Sequence, residues 1–292
     1  MKTCVLYNGL SGNGTGEEKA RAILKMWKDR DPVFTDITKL PSYEAFFADL
    51  TEDDILVLCG GDGTLNRFAN DTLGISYPCP IYFAPTGTGN DFWRDITSGR
   101  DVVKEIEYRE PIEITRYLSD LPVVSVKGKE RRFINGIGYG IDGYCCEVAD
   151  QIRASGNTDP INYSAIAIKG LLGKFSPRNA HAVVDGKEYD FKGVWIAPTM
   201  KGRFYGGGLM AAPDQDRMDL EGKVTLVIMG GAGRIPTLLA FSGVSKGTHV
   251  KKKMVKILPG NEITVTFDEP CALQIDGETV LDVKTYSVKA GK

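Results

Sequence analysis

Short apolar runs that end in glycine-rich polar turns recur through the first third of the chain. Three of them, residues 4–7, 55–58 and 81–84, are rich in branched and aromatic side chains, which is typical of buried strands. The stretches between and after them have helical character, and we predict helices at 17–28, 43–50 and 65–73. Strands that alternate with helices predict a parallel sheet in a Rossmann-like α/β domain.

Beyond residue 108 the pattern changes to shorter alternating runs separated by turn residues. Many short strands of this kind predict an antiparallel β-sandwich as the second domain. We place the boundary near 109–112, which gives domains 1–111 and 112–282. The predicted strands are 112–117, 122–127, 132–135, 182–184, 193–197, 224–229, 254–258, 263–267, 272–275 and 283–288.

Helical runs at 143–155 and 162–172 interrupt the second domain, and a further apolar run follows at 235–241. The runs 162–172 and 235–241 are apolar around most of their circumference, which usually indicates a core helix. The alternative is contact with lipid, with Lys246 and Lys251 to Lys253 facing an anionic membrane. The pattern leaves both interpretations open.

Composition narrows the class of protein. The formal net charge of −2 argues against a bulk nucleic-acid binder, and six cysteines without a CxxC pair indicate reduced thiols. No apolar run approaches the ~18 residues of a membrane span or forms a signal peptide, so we expect a cytoplasmic protein without a membrane span. With only two histidines, carboxylates and glycines must supply most of an active site.

Each of the first three predicted strands leads into a polar, glycine-rich loop. The loops are 8–16, Gly60-Gly61-Asp62-Gly63-Thr64 and 85–92. Because parallel strands end at one edge of a sheet, the three loops predict a nucleotide-phosphate site there, although 8–16 lacks the P-loop lysine. A carboxylate such as Asp62 would repel phosphate unless a metal ion lay between them.

Two further motifs carry candidate chemistry. Asp276-Gly277-Glu278 follows an apolar run and is either a hairpin turn or a pair of acids, one accepting a proton from an attacking hydroxyl. The run from Gly138 to Gly143 matches G-x-G-x-x-G. It lacks a surrounding βαβ pattern, so we rank a dehydrogenase below a kinase.

Taken in order, these motifs resemble the diacylglycerol kinase catalytic-domain family. That family includes soluble bacterial diacylglycerol kinases and relatives that act on sphingoid bases and ceramide. The resemblance covers nearly the whole chain, because Gly206-Gly207-Gly208 and Lys246-Gly247-Thr248-His249 also look like family segments. It implies a two-domain lipid kinase that uses ATP and Mg²⁺, with 283–292 returning to complete the first domain.

The resemblance also assigns residues. Asp276 matches the general base, Glu278 its supporting acid, and Asp62 an acid beside the phosphates. The nucleotide site would comprise Asn8, Ser11, Gly12, Gly60, Gly61, Gly63, Thr64, Thr88, Gly89 and Asp91. The metal ligands would be Asp62, Asp91, Glu113 and Asp219. Glu113 stands where many members carry Asp, and Leu220 and Lys223 depart from the family pattern around Asp219.

The resemblance implies an ATP-dependent lipid kinase, with diacylglycerol as the expected acceptor and phosphatidic acid as the product. A lipid substrate implies transient association with a membrane surface, and we expect no nucleic-acid partner. A homodimer is an open alternative. The alternatives in function are an NAD kinase, which shares the Gly-Gly-Asp-Gly-Thr loop, and a nucleotide- or lipid-binding regulator without turnover.

Overall fold

The computed structural model describes residues 1–12, 14–87, 89–97, 110–156, 159, 161–219 and 221–291. The chain divides into two compact units, Met1–Ser119 and Asp120–Lys292. The first is built on a mostly parallel sheet with helices, and the second on an antiparallel sheet. The predicted fold class, an α/β domain followed by an antiparallel sandwich-like domain, is confirmed.

The first unit contains a five-stranded sheet. Its strands are β1 (Thr3–Tyr7), β2 (Val33–Asp36), β3 (Ile55–Gly60), β4 (Ile81–Pro85) and β5 (Ile112–Glu113), in the order β2-β1-β3-β4-β5. The first four run parallel, and β5 is antiparallel to β4. The helices are α1 (Gly16–Ile23), α2 (Tyr43–Ala48), α3 (Asp62–Asp71), α4 (Asp91–Ile96) and α5 (Thr115–Ser119), with 3₁₀ turns at Leu24–Arg30 and Ile37–Lys39.

The strand order reverses between β1 and β3. The carboxyl ends of these two strands are therefore a topological switch point. Tyr7 pairs with Cys59 and Gly60 pairs with Pro85, so β1, β3 and β4 end almost level. All of β1 and nearly all of β3 are buried, as expected for central parallel strands with both faces covered. The three polar loops therefore leave the sheet at the place where such folds bind ligands.

Several elements of the first unit differ from the prediction. Helix α4 was not predicted, and Leu24–Arg30 is a 3₁₀ turn where a continuous helix was predicted over 17–28. Strand β2 was not predicted, because it lies at the sheet edge and its partly exposed residues give no continuous apolar run. The run 112–117 was predicted as a strand, but only Ile112–Glu113 is one, and α5 follows. Ile114 and Leu118 are both buried one helical turn apart, and this spacing favours the helix.

The second unit contains one ten-stranded sheet and a short two-stranded one. The strands are β6 (Val123–Val126), β7 (Lys129–Arg132), β8 (Gly136–Tyr139), β9 (Arg178–Val184), β10 (Lys187–Ile196), β11 (Thr199–Met200), β12 (Phe204–Tyr205), β13 (Leu209–Met210), β14 (Val224–Gly230), β15 (Val255–Gly260), β16 (Glu262–Ile275) and β17 (Glu278–Lys289). The order is β7-β6-β17-β16-β8-β11-β14-β10-β9, with β15 beside β14 and β12 paired with β13.

Strand β16 closes this sheet on itself. Ile263–Phe267 pair with β9, whereas Leu273–Ile275 pair with β8, so six strands form a ring. The register shifts between Thr266 and Cys271, where β16 bends from one neighbour to the other. Residues 283–289 lie in β17 and pair with β16 and β6, within the second unit.

The described residues of the second unit form two hydrophobic cores. One is enclosed by the sheet, where the rings of Tyr139 and Phe267 stack with centroids 3.9 Å apart. The other lies between the sheet and its helices, which are α6 (Ile141–Ala154), α7 (Tyr163–Lys169) and α8 (Arg234–Phe241). A π-helical turn, Gly170–Lys174, continues α7, and 3₁₀ turns at Val244–Lys246 and Thr248–Lys251 follow α8.

Asp142, in the first turn of α6, is buried beside the helix core. The Tyr205 hydroxyl donates a hydrogen bond to it, but burial dominates and raises its pKa to about 7. Burial disfavours the charged form of an acid, so the folded state holds this proton at pH values where the unfolded chain releases it.

We expect the second unit to lose stability as the pH rises. Between the ordinary pKa of about 4 and the raised value of about 7, the folded state binds one more proton than the unfolded state. The free energy of unfolding should therefore fall by about 1.4 kcal/mol per pH unit in this window. Asp142→Asn should flatten the dependence in urea unfolding followed by circular dichroism. Asp214→Asn, at an exposed acid of the same unit, is the control and should leave the slope unchanged.

Candidate active site

The second and third loops of the first unit are in direct backbone contact. Thr86 and Gly87 donate their N–H groups to the Gly60 carbonyl oxygen over 2.8 and 3.2 Å. A Cβ on Gly87 would lie 2.4 Å from the Gly61 Cα, so no larger residue fits there without movement. Gly61, which the family resemblance assigns to the nucleotide site, and Gly87 of the third loop therefore allow the two loops to meet.

Asp62 holds the same two loops together. It is the first residue of α3, and its carboxylate oxygens accept the N–H groups of Asp91 and Phe92 over 2.7 and 3.0 Å. These groups lie in the first turn of α4, where backbone N–H groups lack partners within the helix and an acid is favourable. Asp62 thus supplies the acceptor that caps a neighbouring helix.

The first loop is folded by bonds of its own. The Asn8 side chain accepts the Leu10 N–H over 3.0 Å, and the Asn8 carbonyl accepts the Ser11 hydroxyl over 2.8 Å. The Gly9 N–H donates to Asp36 at the end of β2. Gly12 has a positive φ of 57°, which suits a tight turn. The predicted nucleotide residue Thr88 lies outside the described residues, whereas Gly89 lies beside Asp62.

The predicted metal ligands have different surroundings. Asp91 is buried and pairs with Arg94 over 3.3 Å, and Glu113 is exposed on β5. Asp219, in the second unit, accepts the Glu221 N–H over 2.7 Å. Over the described parts of the chain, no three His, Cys, Asp or Glu side chains are grouped to hold a metal. The partly exposed Asp62 suits an ion that also binds phosphate oxygens better than one held by protein alone.

In the second unit, Asp276 and Gly277 form the two-residue turn between β16 and β17. Both have positive φ, 46° and 92°, as in the type I′ turns that suit hairpins. The Asp276 carboxylate accepts three backbone N–H groups, from Ile134 at 2.6 Å, Asn135 at 2.9 Å and Gly136 at 3.0 Å. The structure shows the hairpin turn, and this turn orients the Asp276 carboxylate, whereas the role of Asp276 as a proton acceptor stays a prediction.

Arg217 fixes the segment that holds Asp276. Its buried guanidinium donates to the Ile134 carbonyl and, over 2.8 Å, to Asn135 Oδ1. The Asn135 carbonyl accepts the N–H groups of Lys201 and Gly202. Sequence reasoning missed Arg217 and Asn135, because neither has a spacing that distinguishes it from ordinary loop residues.

Glu278 opens β17 and is largely exposed. It forms an ion pair with Arg131 of β7, with an N–O distance of 2.5 Å. Gln274 accepts the Gly277 N–H over 2.6 Å and braces the turn from the other side. Arg131 thus holds the Glu278 carboxylate and Gln274 holds the turn backbone, and the sequence did not indicate the role of Arg131.

The glycine motif at the end of β8 is not a dinucleotide fingerprint. Its strand pairs antiparallel with β16 and β11, whereas the fingerprint requires a parallel βαβ unit. The lower rank given to a dehydrogenase agrees with this topology.

The chain is a two-domain protein. Its α/β domain carries three glycine-rich loops at one edge of a parallel sheet, and its antiparallel domain carries an acid held by backbone N–H groups at a hairpin turn. The family model described as "Diacylglycerol kinase catalytic domain" matches residues 2–114. The model described as "YegS C-terminal NAD kinase beta sandwich-like domain" matches residues 135–288. The chain belongs to the diacylglycerol kinase family that combines these two domains.

Individual relatives are more distant. The chain is 25% identical over 229 residues to the Bacillus subtilis (strain 168) protein named "Putative lipid kinase YtlR", covering 76% of this chain and 73% of that protein. It is 26% identical over 261 residues to the protein named "Diacylglycerol kinase" in Mycobacterium tuberculosis (strain ATCC 25618 / H37Rv), covering 86% and 80%.

A solved structure titled as a "putative diacylglycerol kinase from Bacillus anthracis str. Sterne" has the same fold. Its TM-score is 0.68 at 17% identity, and the match covers 99% of this chain and 91% of that one. At this level of identity the likeness concerns the fold alone.

We expect Gly87→Ala to separate the two loops of the first unit. The added methyl group would overlap the Gly61 backbone, and overpacking of this kind typically costs about 1–3 kcal/mol. Gly63→Ala is the matched control, because among the described residues no heavy atom outside its chain neighbours and its own helix backbone lies within 4 Å of a Cβ there. Urea unfolding should show a loss for Gly87→Ala and none for Gly63→Ala, and equal effects would contradict the contact.

We expect Arg217→Met to loosen the segment that holds Asp276. Two buried acceptors would lose their donor, at a cost of about 1–3 kcal/mol, and the amides of residues 134–136 should exchange faster. Arg234→Met is the control, since Arg234 donates to the carbonyls of Leu171 and Phe175 and should not affect those amides. Hydrogen exchange resolved by residue checks this, and unchanged protection at 134–136 would refute it.

Proposed function

We propose that the chain is an ATP-dependent lipid kinase that transfers the γ-phosphate of ATP to the hydroxyl of diacylglycerol and forms phosphatidic acid. Membership of the diacylglycerol kinase family supports a kinase that acts on lipid. The name of the Mycobacterium tuberculosis relative supports diacylglycerol as the acceptor. Sphingoid bases and ceramide are the other lipid alcohols to test.

The observation that carries the proposal is the fixed orientation of Asp276. Its carboxylate accepts three consecutive backbone N–H groups and projects from a turn with positive φ. Backbone donors cannot rotate away as side chains can, so the acid is held in one direction before any substrate arrives. Phosphoryl transfer depends mainly on positioning and charge stabilisation, which such an acid can supply.

In the proposed reaction the acceptor hydroxyl attacks the γ-phosphorus. The new P–O bond forms as the bond to the leaving ADP breaks, and Asp276 accepts the proton of the alcohol. Glu278, tied to Arg131, supports the turn from the start of β17. In this assignment Asp276 is the base and Glu278 is a supporting acid.

In this proposal the first unit binds the nucleotide. The amino end of α3 and the glycines of the second and third loops suit phosphate oxygens, because backbone N–H groups and the helix dipole favour anions. Asp62 keeps the two loops together. Asp62 would help to hold Mg²⁺, and the ion would neutralise phosphate charge.

A lipid acceptor implies that the reaction takes place at a membrane surface. Among the helices of the described residues, none is both long enough and apolar enough to cross a bilayer. Because the proposed acceptor is a lipid, we propose that the chain meets its substrate by transient association with the surface of a membrane.

Asp276→Asn should lower turnover by about 10²-fold or more, since general-base catalysis contributes about 10²–10⁴-fold, while ATP binding persists. Asp282→Asn is the matched control, because Asp282 also has a positive φ, of 53°, and lies on the same hairpin away from the turn. Radiolabelled ATP, with ATP affinity measured by calorimetry, checks both variants. Near-normal turnover of Asp276→Asn would remove the base assignment.

The same assay distinguishes the functions. Diacylglycerol, sphingosine and ceramide in mixed micelles are compared with NAD in solution. Faster labelling of diacylglycerol supports the proposal, and faster labelling of NAD would identify an NAD kinase. ATP binding with no labelled product would identify a binding protein without turnover.

A further inference from the structure

The three polar loops of the first unit carry acids but no bases. Residues 8–16, 60–64 and 85–92 include Asp62 and Asp91, and they contain no Lys or Arg. Nucleotide phosphates are anionic, so the proposed nucleotide site needs positive charge from outside these loops. A metal ion beside Asp62 is one source, and a basic side chain on a neighbouring element is the other.

Lys19 of α1 places a positive charge on the first loop. A Cβ built on Gly12 would lie 2.7 Å from Lys19 Nζ and 3.7 Å from Lys19 Cε, so the ammonium group lies against the loop backbone. Side chains on a helix lean toward its amino end, which directs Lys19 back over the loop that precedes α1. The residue is partly buried there and does not extend freely into water.

The ammonium group of Lys19 lacks an ion-pair partner among the described residues. The acids in the first turn of α1 do not pair with it, and one of them, Glu17, pairs with Arg21 over 2.7 Å. A cation near the amino end of a helix is also unfavourable, because the helix dipole is positive there. An anion bound at the loop would offset both effects.

Two other bases near the loop are engaged with protein groups. The Arg21 guanidinium lies over the Phe34 ring, 4.2 Å from its centroid. Lys39 pairs over 3.6 Å with Asp36, which also accepts an N–H group of the loop and so holds its other side. Of these three bases, Lys19 is the one left for a ligand.

We propose that Lys19 binds a phosphate group of the nucleotide at the first loop. Lysine is a common phosphate ligand, and in P-loop proteins a lysine that follows the glycines reaches the phosphates. The first loop lacks that lysine in sequence, but Lys19, the fourth residue of α1, brings an ammonium group to it. The inference rests on the proposed function for the identity of the anion, a nucleoside triphosphate.

The test is binding of MgATP to the full chain, measured by calorimetry without lipid. Lys19→Gln should weaken binding by about tenfold, because a charge-assisted bond to phosphate is lost. Lys19→Arg keeps the charge and should restore most of the affinity. Added salt screens a contact between charges, so the affinity of Lys19→Gln should fall less with salt than that of the unaltered chain.

Lys28→Gln is the matched control. Lys28 is exposed in the 3₁₀ turn that follows α1, nine positions further along the chain. The substitution changes the net charge by the same amount, and the variant should bind MgATP as the unaltered chain does. Circular dichroism and urea unfolding verify that each variant is folded.

Unchanged affinity of Lys19→Gln would refute the proposal, and so would equal losses in Lys19→Gln and Lys28→Gln, which would reflect net charge alone. Lower stability with normal affinity would make Lys19 a structural residue. If MgATP binding depends on Lys19 but no lipid is phosphorylated, the proposed function fails and the phosphate contact stands. Lipid phosphorylation by Lys19→Gln with a normal KM for ATP would give the opposite result, and an unaltered chain that binds no MgATP would overturn both.

Discussion

The second unit depends on one carboxylate that accepts backbone N–H groups from a distant part of the chain. Asp276 lies at the tip of the β16–β17 hairpin, and its three donors lie in residues 134–136, between 140 and 142 positions earlier. The contact ties the hairpin tip to the start of β8, and β8 also pairs with β16. The position of the acid is therefore determined by the same strand that closes the sheet.

In the first unit a carboxylate also accepts backbone N–H groups from another segment, over a shorter separation in sequence. Asp62 accepts N–H groups that are 29 and 30 positions away, at the start of α4. In both units an acid that the sequence assigned to chemistry also links two segments through backbone donors. Backbone donors already hold such a carboxylate in one direction. It therefore loses little side-chain entropy when a substrate binds. Substitution of either acid would therefore disturb both structure and chemistry.

The sequence predicts local features better than long-range ones, because only interactions between residues close in sequence leave a pattern along the chain. Strands β1, β3 and β4 were predicted because a strand buried on both faces needs a continuous apolar run. The Asp276-Gly277 turn was predicted as one alternative because its dipeptide favours positive φ. Strand β2 and the roles of Arg217 and Arg131 were missed, since an edge strand or a long-range ion pair leaves no local pattern.

The apolar runs of α7 and α8 show where hydrophobic periodicity stops being informative. A run that is apolar on all sides is compatible with full burial or with two different apolar contacts, and the pattern of residues is the same for both. In the structure one side of each helix joins the core while Ile168, Leu172, Ile235 and Leu239 remain exposed. The exposed parts of these side chains add nothing to the free energy of folding from burial, because they stay in contact with water in both states. The hydrophobic core therefore explains only the inward half of each apolar run.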